Sequence, residues 1–105
     1  MSYDKLKNSD TNGSTKRLFS LGRVAATPGA LEALERADQS PAEFLSRHQQ
    51  GDWGHCSVED RRENDFSVTR RLRLFSVYYT SAAEKLWVIT EADRSVTTLL
   101  LPSEY

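Results

Sequence analysis

The chain has 105 residues, 38% of them hydrophobic and 28% charged, with a formal net charge of -1. That length accommodates one domain with a modest core, and the near-neutral balance argues against a scaffold that grips nucleic acid by bulk positive charge. No apolar run approaches the roughly 18 residues of a membrane span. The first residues lack the apolar stretch of a secretory signal, and a lone cysteine excludes an internal disulfide, so a reducing, cytoplasmic setting is expected.

Residues 1–16 offer only Met1, Tyr3 and Leu6 as sizeable apolar groups, too few to offset the entropy of ordering them. They read as a flexible leader, with a single α+β domain over residues 17–105. Leu18 to Val24 reads as a first strand, with Phe19 and Leu21 on one side. Thr27-Pro28 then marks a helix start, threonine as cap and proline where its missing N–H costs nothing. Ala30, Ala33, Leu34 and Ala37 follow as a small-residue stripe that permits close packing. Ser40-Pro41-Ala42-Glu43 is a capping box for a second helix that points Phe44 and Leu45 to the core and stops at Gly51.

Gly51-Asp52-Trp53-Gly54 reads as a loop. Ser57-Val58-Glu59-Asp60 opens a third helix running to about Val68, with acids where the helix dipole favours them and Val58 and Phe66 as its apolar anchors. From Leu72 the pattern turns to strand. Leu72 to Thr80, Leu86 to Ala92 and Val96 to Leu101 are rich in β-formers, and the short links between them predict a three-stranded antiparallel meander. The expected architecture is one N-terminal strand, two to three helices, then this meander, the helices packed on one sheet face.

Alternation divides the meander into two apolar sides. Phe75, Val77, Tyr79, Trp87, Ile89, Leu99 and Leu101 form the side expected under the helices. Leu74, Tyr78, Leu86, Val88, Val96 and Leu100, diluted by Ser76, Thr90 and Thr98, form a second side too apolar to be left wet. That predicts a cover, which is a second copy, a different protein or the third helix, and a two-fold dimer through the sheet is the commonest solution.

Four strings carry a resemblance. They are Leu21 to Ala30 (LGRVAATPGA), Gly51 to Gly54 (GDWG), Leu86 to Ser95 (LWVITEADRS) and Leu100 to Tyr105 (LLPSEY). Together they resemble a family of small plasmid-related proteins of bacterial mobile elements, some of which are labelled type I restriction enzyme M subunits. The likeness spans Leu18 to Tyr105 and implies a mobile-element setting without assigning a reaction. A methyltransferase would need a glycine-rich cofactor loop and a (D/N)PP(Y/F) motif, and the chain has neither.

The candidate constellations each have two readings. His55-Cys56 is too small a ligand set for zinc, so neither metal nor cofactor is expected. Cys56 with His48 would serve as a nucleophile and base only if the fold joined them. Trp53 is either a loop anchor or an exposed aromatic hot spot. Glu91, Asp93 and Arg94 form either a polar site at a strand end or ordinary turn hydrogen bonds. The arginines from Arg61 to Arg73 are interleaved with acids, which makes nucleic acid an improbable partner. The resulting partner-binding candidates are Trp53, Tyr78, Val88, Glu91, Asp93 and Arg94. The expected function is a non-enzymatic accessory protein of a mobile element that binds another protein, with a host defence system such as restriction as a target. The alternative is a small RelE-like toxin ribonuclease, which shares the order of elements.

Overall fold

The computed structural model describes residues 16–105, so the expected leader lies, apart from Lys16, outside the described residues. The elements run β1 (Arg23–Ala26), α1 (Pro28–Ala37), α2 (Pro41–Gln49), α3 (Val58–Arg70), β2 (Leu74–Tyr79), β3 (Lys85–Thr90) and β4 (Val96–Leu100), closing on a 3-10 turn at Pro102–Glu104. The protein is α+β. Its four strands form one mixed sheet in the order β1-β4-β3-β2. Strands β2, β3 and β4 pair antiparallel, and β1 lies parallel to β4 at the far edge.

The three helices begin where the sequence signals them. Thr27 accepts from the Ala30 N–H, Ser40 from that of Ala42 and Ser57 from that of Asp60, so each cap satisfies a donor the first turn would otherwise leave free. Gly51, at a φ of 83°, turns the chain after α2 as expected.

The first strand is shorter and later than the Leu18–Val24 run predicts. Gly22 turns the chain left-handed at a φ of 67°, and a Cβ there would sit 2.4 Å from the carbonyl oxygens of Arg94 and Ser95. Residues before that turn pack against the end of α2 instead. The Leu18 N–H donates to the Gln49 carbonyl at 2.8 Å, and the Gln49 amide donates to the Phe19 carbonyl at 2.9 Å.

The expected sheet faces are reversed in β2 and β3, while in β4 Leu99 lies under the helices and Leu100 on the opposite side, as expected. Leu74, Tyr78, Leu86 and Val88 are fully buried, and Tyr78, Leu86 and Val88 form one cluster with Ala30, Leu34, Phe44 and Leu99 beneath α1 and α2. Cross-strand partners share a face, and Val88 pairs with Leu99 while Trp87 pairs with Leu100. The opposite, more open face therefore carries Phe75, Trp87 and Thr98 half-buried and Tyr79 exposed, with Val77, Ile89 and Leu100 buried among them. The sequence misled for a physical reason. Ser76 and Thr90 dilute the apolar character of that side in the sequence and so point away from the helices, but both are buried as partners of a buried histidine.

Helix α3 corrects a second expectation. Val58 and Phe66, its predicted anchors, are 55% and 48% exposed, while Asn64 and Ser67 are buried. The helix is seated mainly by polar contacts. The Asn64 side chain accepts from the Phe75 N–H at 3.1 Å and donates to the Phe75 carbonyl at 2.7 Å, completing the outer edge of β2 as a neighbouring strand would. One step further along that edge, Val77 donates to the Trp53 carbonyl and accepts from the His55 N–H.

Candidate functional site

The polar groups with chemical potential are consumed internally. His48 is fully buried, its Nδ1 2.6 Å from Ser76 Oγ and its Nε2 2.9 Å from Thr90 Oγ1. The chain of bonds fixes its tautomer. Thr97 donates to the Leu21 carbonyl at 2.7 Å, so its oxygen is left to accept from Thr90, 2.7 Å away. Thr90 must then accept from Nε2–H, which leaves Nδ1 to accept from Ser76. Burial, helped by the positive charge of Arg94, pushes the His48 pKa down to about 3, so the ring is neutral. Phe19 and Trp53 meet it edge-on at 5.1 and 5.6 Å.

Cys56 does not join His48. Its thiol donates to the Trp53 and Phe75 carbonyls, and burial pushes its pKa up, away from the reactive thiolate. His55 packs edge-on to Tyr79 at 5.0 Å instead of pairing with Cys56 on an ion. Among the described residues, no three of His, Cys, Asp and Glu gather as a metal site.

Of the six partner-binding candidates, four lie inside the molecule. Trp53 is buried between α2 and α3, its indole N–H donating to Asp65 at 2.9 Å, which is the loop-anchor reading. Tyr78 is enclosed, its hydroxyl donating to the Asp52 carbonyl at 2.6 Å, and Val88 lies in the core. Arg94 is buried and joins two segments. Nη1 donates to the carbonyls of Leu72, Glu91 and Ala92, and Nη2 donates to that of Ser67 at 2.9 Å. Asp93 and Glu91 remain accessible. Asp93 closes the β3–β4 turn by accepting from the Ser95 N–H, and hydrogen bonds from Ser95 hold its pKa below the usual carboxylate range. Glu91 lies 3.6 Å from Arg73 Nε.

The open face holds a feature absent from the sequence reading. Arg73, Phe75, Trp87, Ile89 and Tyr105 line a cleft of about 270 Å³. Phe75 and Tyr105 are inclined to Trp87 at 81° and 70°, at centroid distances of 5.0 and 5.7 Å. Ile89 contributes an aliphatic surface. Arg73 donates to the Tyr105 hydroxyl at 2.9 Å.

The final turn holds Tyr105 in place. Glu104 accepts from the Thr27 hydroxyl, the Gly29 N–H and the Leu101 N–H, pinning the turn to the start of α1. These bonds hold the Glu104 pKa below its ordinary value. A Cβ at Gly29 would sit 2.6 Å from the Glu104 carboxylate, so glycine makes the approach possible. The sequence signal for this site was the placement of Trp87 and Ile89 on one side of β3. Assigning that side to the helices concealed it.

The chain matches no protein-family model, no curated protein and no solved structure. Among the described residues, no helix is long and apolar enough to cross a membrane.

Proposed function

We propose that this chain is a non-enzymatic binding module that engages another protein through the open face of its sheet, in the mobile-element setting implied by the sequence resemblance. The observation that carries this reading is the aromatic cleft around Trp87. Three rings are held at fixed angles there, partly open to solvent, on the face opposite α1 and α2. Rigid aromatic surface of this kind contributes disproportionately to protein–protein binding. The internal use of His48, Cys56 and Arg94 supports the non-enzymatic part of the reading.

The dimer expected from the sequence moves with the face. A second copy is one partner this surface would suit, and sedimentation of the wild-type chain separates a homodimer from a foreign partner. The test is to identify proteins that co-purify from the host, reconstitute the complex from purified components, and repeat it with Tyr79→Glu. Tyr79 is exposed on the same face, so a charge there should weaken the complex without unfolding the chain. Growth arrest with messenger cleavage on expression would instead support the RelE-like ribonuclease alternative and overturn this reading.

A further inference from the structure

The cleft also has a chemical preference, an inference that rests on the docking role just proposed. Its volume of about 270 Å³ is below the ~300–1,000 Å³ usual for small-molecule and cofactor pockets, and suits a single large side chain. Three of its five lining residues are aromatic, with Phe75 and Tyr105 steeply inclined to Trp87, and an aromatic guest adds edge-to-face contacts to such a set.

Charge narrows the guest further. By strand register, Arg23 and Lys85 share the open face with the cleft, and Arg73 stands at its rim. Among the described residues, the acids near these three cations are Glu91, half-exposed and only loosely engaged by Arg73 at 3.6 Å, and Asp93 in the adjoining turn. The Arg73 side chain is itself half-exposed, with one bond to Tyr105, so donors of its fork remain for an incoming carboxylate. A cationic guest would meet like charge. A nucleic acid would need phosphate contacts along a basic track, and three dispersed cations beside Glu91 and Asp93 do not make one.

We propose that the Trp87 cleft receives an aromatic side chain of a partner peptide, and that an adjacent carboxylate of that peptide pairs with Arg73. The partner is thus a protein segment with an aromatic residue flanked by acids. Recognition combines ring packing against Trp87, Phe75 and Tyr105 with a charge-assisted bond at the rim.

The test titrates the full chain, followed by NMR, with three capped tripeptides: Asp-Phe-Asp, Lys-Phe-Lys and Asp-Ala-Asp. A short oligouridylate is titrated alongside. Saturable shifts of the Trp87 indole and Tyr105 ring signals are expected with Asp-Phe-Asp, at least tenfold weaker binding with Lys-Phe-Lys, and none with Asp-Ala-Asp. Arg73→Gln should remove most of the tenfold preference while aromatic binding persists. Tyr105→Ala, which removes an exposed wall and leaves the core intact, should weaken both phenylalanine peptides about tenfold. Equal binding of the acidic and basic peptides would overturn the inference, as would tighter binding of the oligouridylate at the same signals. If no peptide binds but Tyr79→Glu still disrupts the reconstituted complex, this inference alone fails. If neither effect is seen, the docking role fails with it.

Discussion

At the scale of single residues, the core is unusual in relying on a neutral histidine and a many-bonded arginine. His48 has a folded pKa of about 3 against an ordinary 6.5, so between those values the unfolded chain binds a proton that the folded chain refuses. Stability must therefore fall as pH drops below 6.5, by nearly 1.4 kcal/mol per unit. Urea unfolding at pH 7.5 and pH 5 should differ by about 2 kcal/mol from this group, and His48→Gln should flatten that slope. Most carboxylates titrate lower, which leaves this window largely to histidine. Arg94 makes the other prediction. Lysine has neither the reach nor the fork to serve carbonyls of Ser67, Leu72, Glu91 and Ala92 together. Arg94→Lys should cost about 2 kcal/mol, measured by the same unfolding.

At the scale of elements, legibility followed the kind of interaction involved. Helix starts were readable because Thr27, Ser40 and Ser57 act on donors two or three residues away. Strand character in β2, β3 and β4 was readable from alternation. What seats α3 was not, because Asn64 works through the backbone of Phe75, eleven residues on, and leaves no apolar pattern behind. Among the candidate site residues, Trp53 between its glycines fitted a loop anchor or a hot spot equally, and only its burial and its bond to Asp65 decide for the anchor. Arg73 and Tyr105 gave no sign of meeting, since their contact spans 32 residues. The edge of β2 offers a direct check. Asn64→Ala would leave the N–H of Phe75 without a partner and its C=O with only the weak Cys56 thiol donor, costing about 2 kcal/mol. The Phe75 amide should then exchange with solvent markedly faster than that of Ser76, which points toward β3. Equal exchange before and after the change would mean that α3 does not seal this edge.

At the scale of the whole molecule, the asymmetry of the sheet decides how adjacent residues respond to truncation. Leu86 and Trp87 are neighbours in β3, yet Leu86 is fully buried under the helices and Trp87 is partly exposed on the opposite side. Size alone predicts that losing the tryptophan is worse. The fold predicts the reverse. Leu86→Ala opens a cavity in a packed layer, which costs ~2–5 kcal/mol. Trp87→Ala removes ring contacts with Phe75 and Tyr105 that solvent already reaches, and should cost only about 1–2 kcal/mol. Val88→Lys, one position further, places a charge in the core beside Leu99 and should prevent folding altogether. The comparison is made by urea unfolding at low and high protein concentration. If a second copy covers the open face, the cost of Trp87→Ala must grow with concentration, because the mutation then removes an interface as well as a surface ring. A cost that stays small at every concentration leaves the face free in the isolated chain, as docking to a different protein requires.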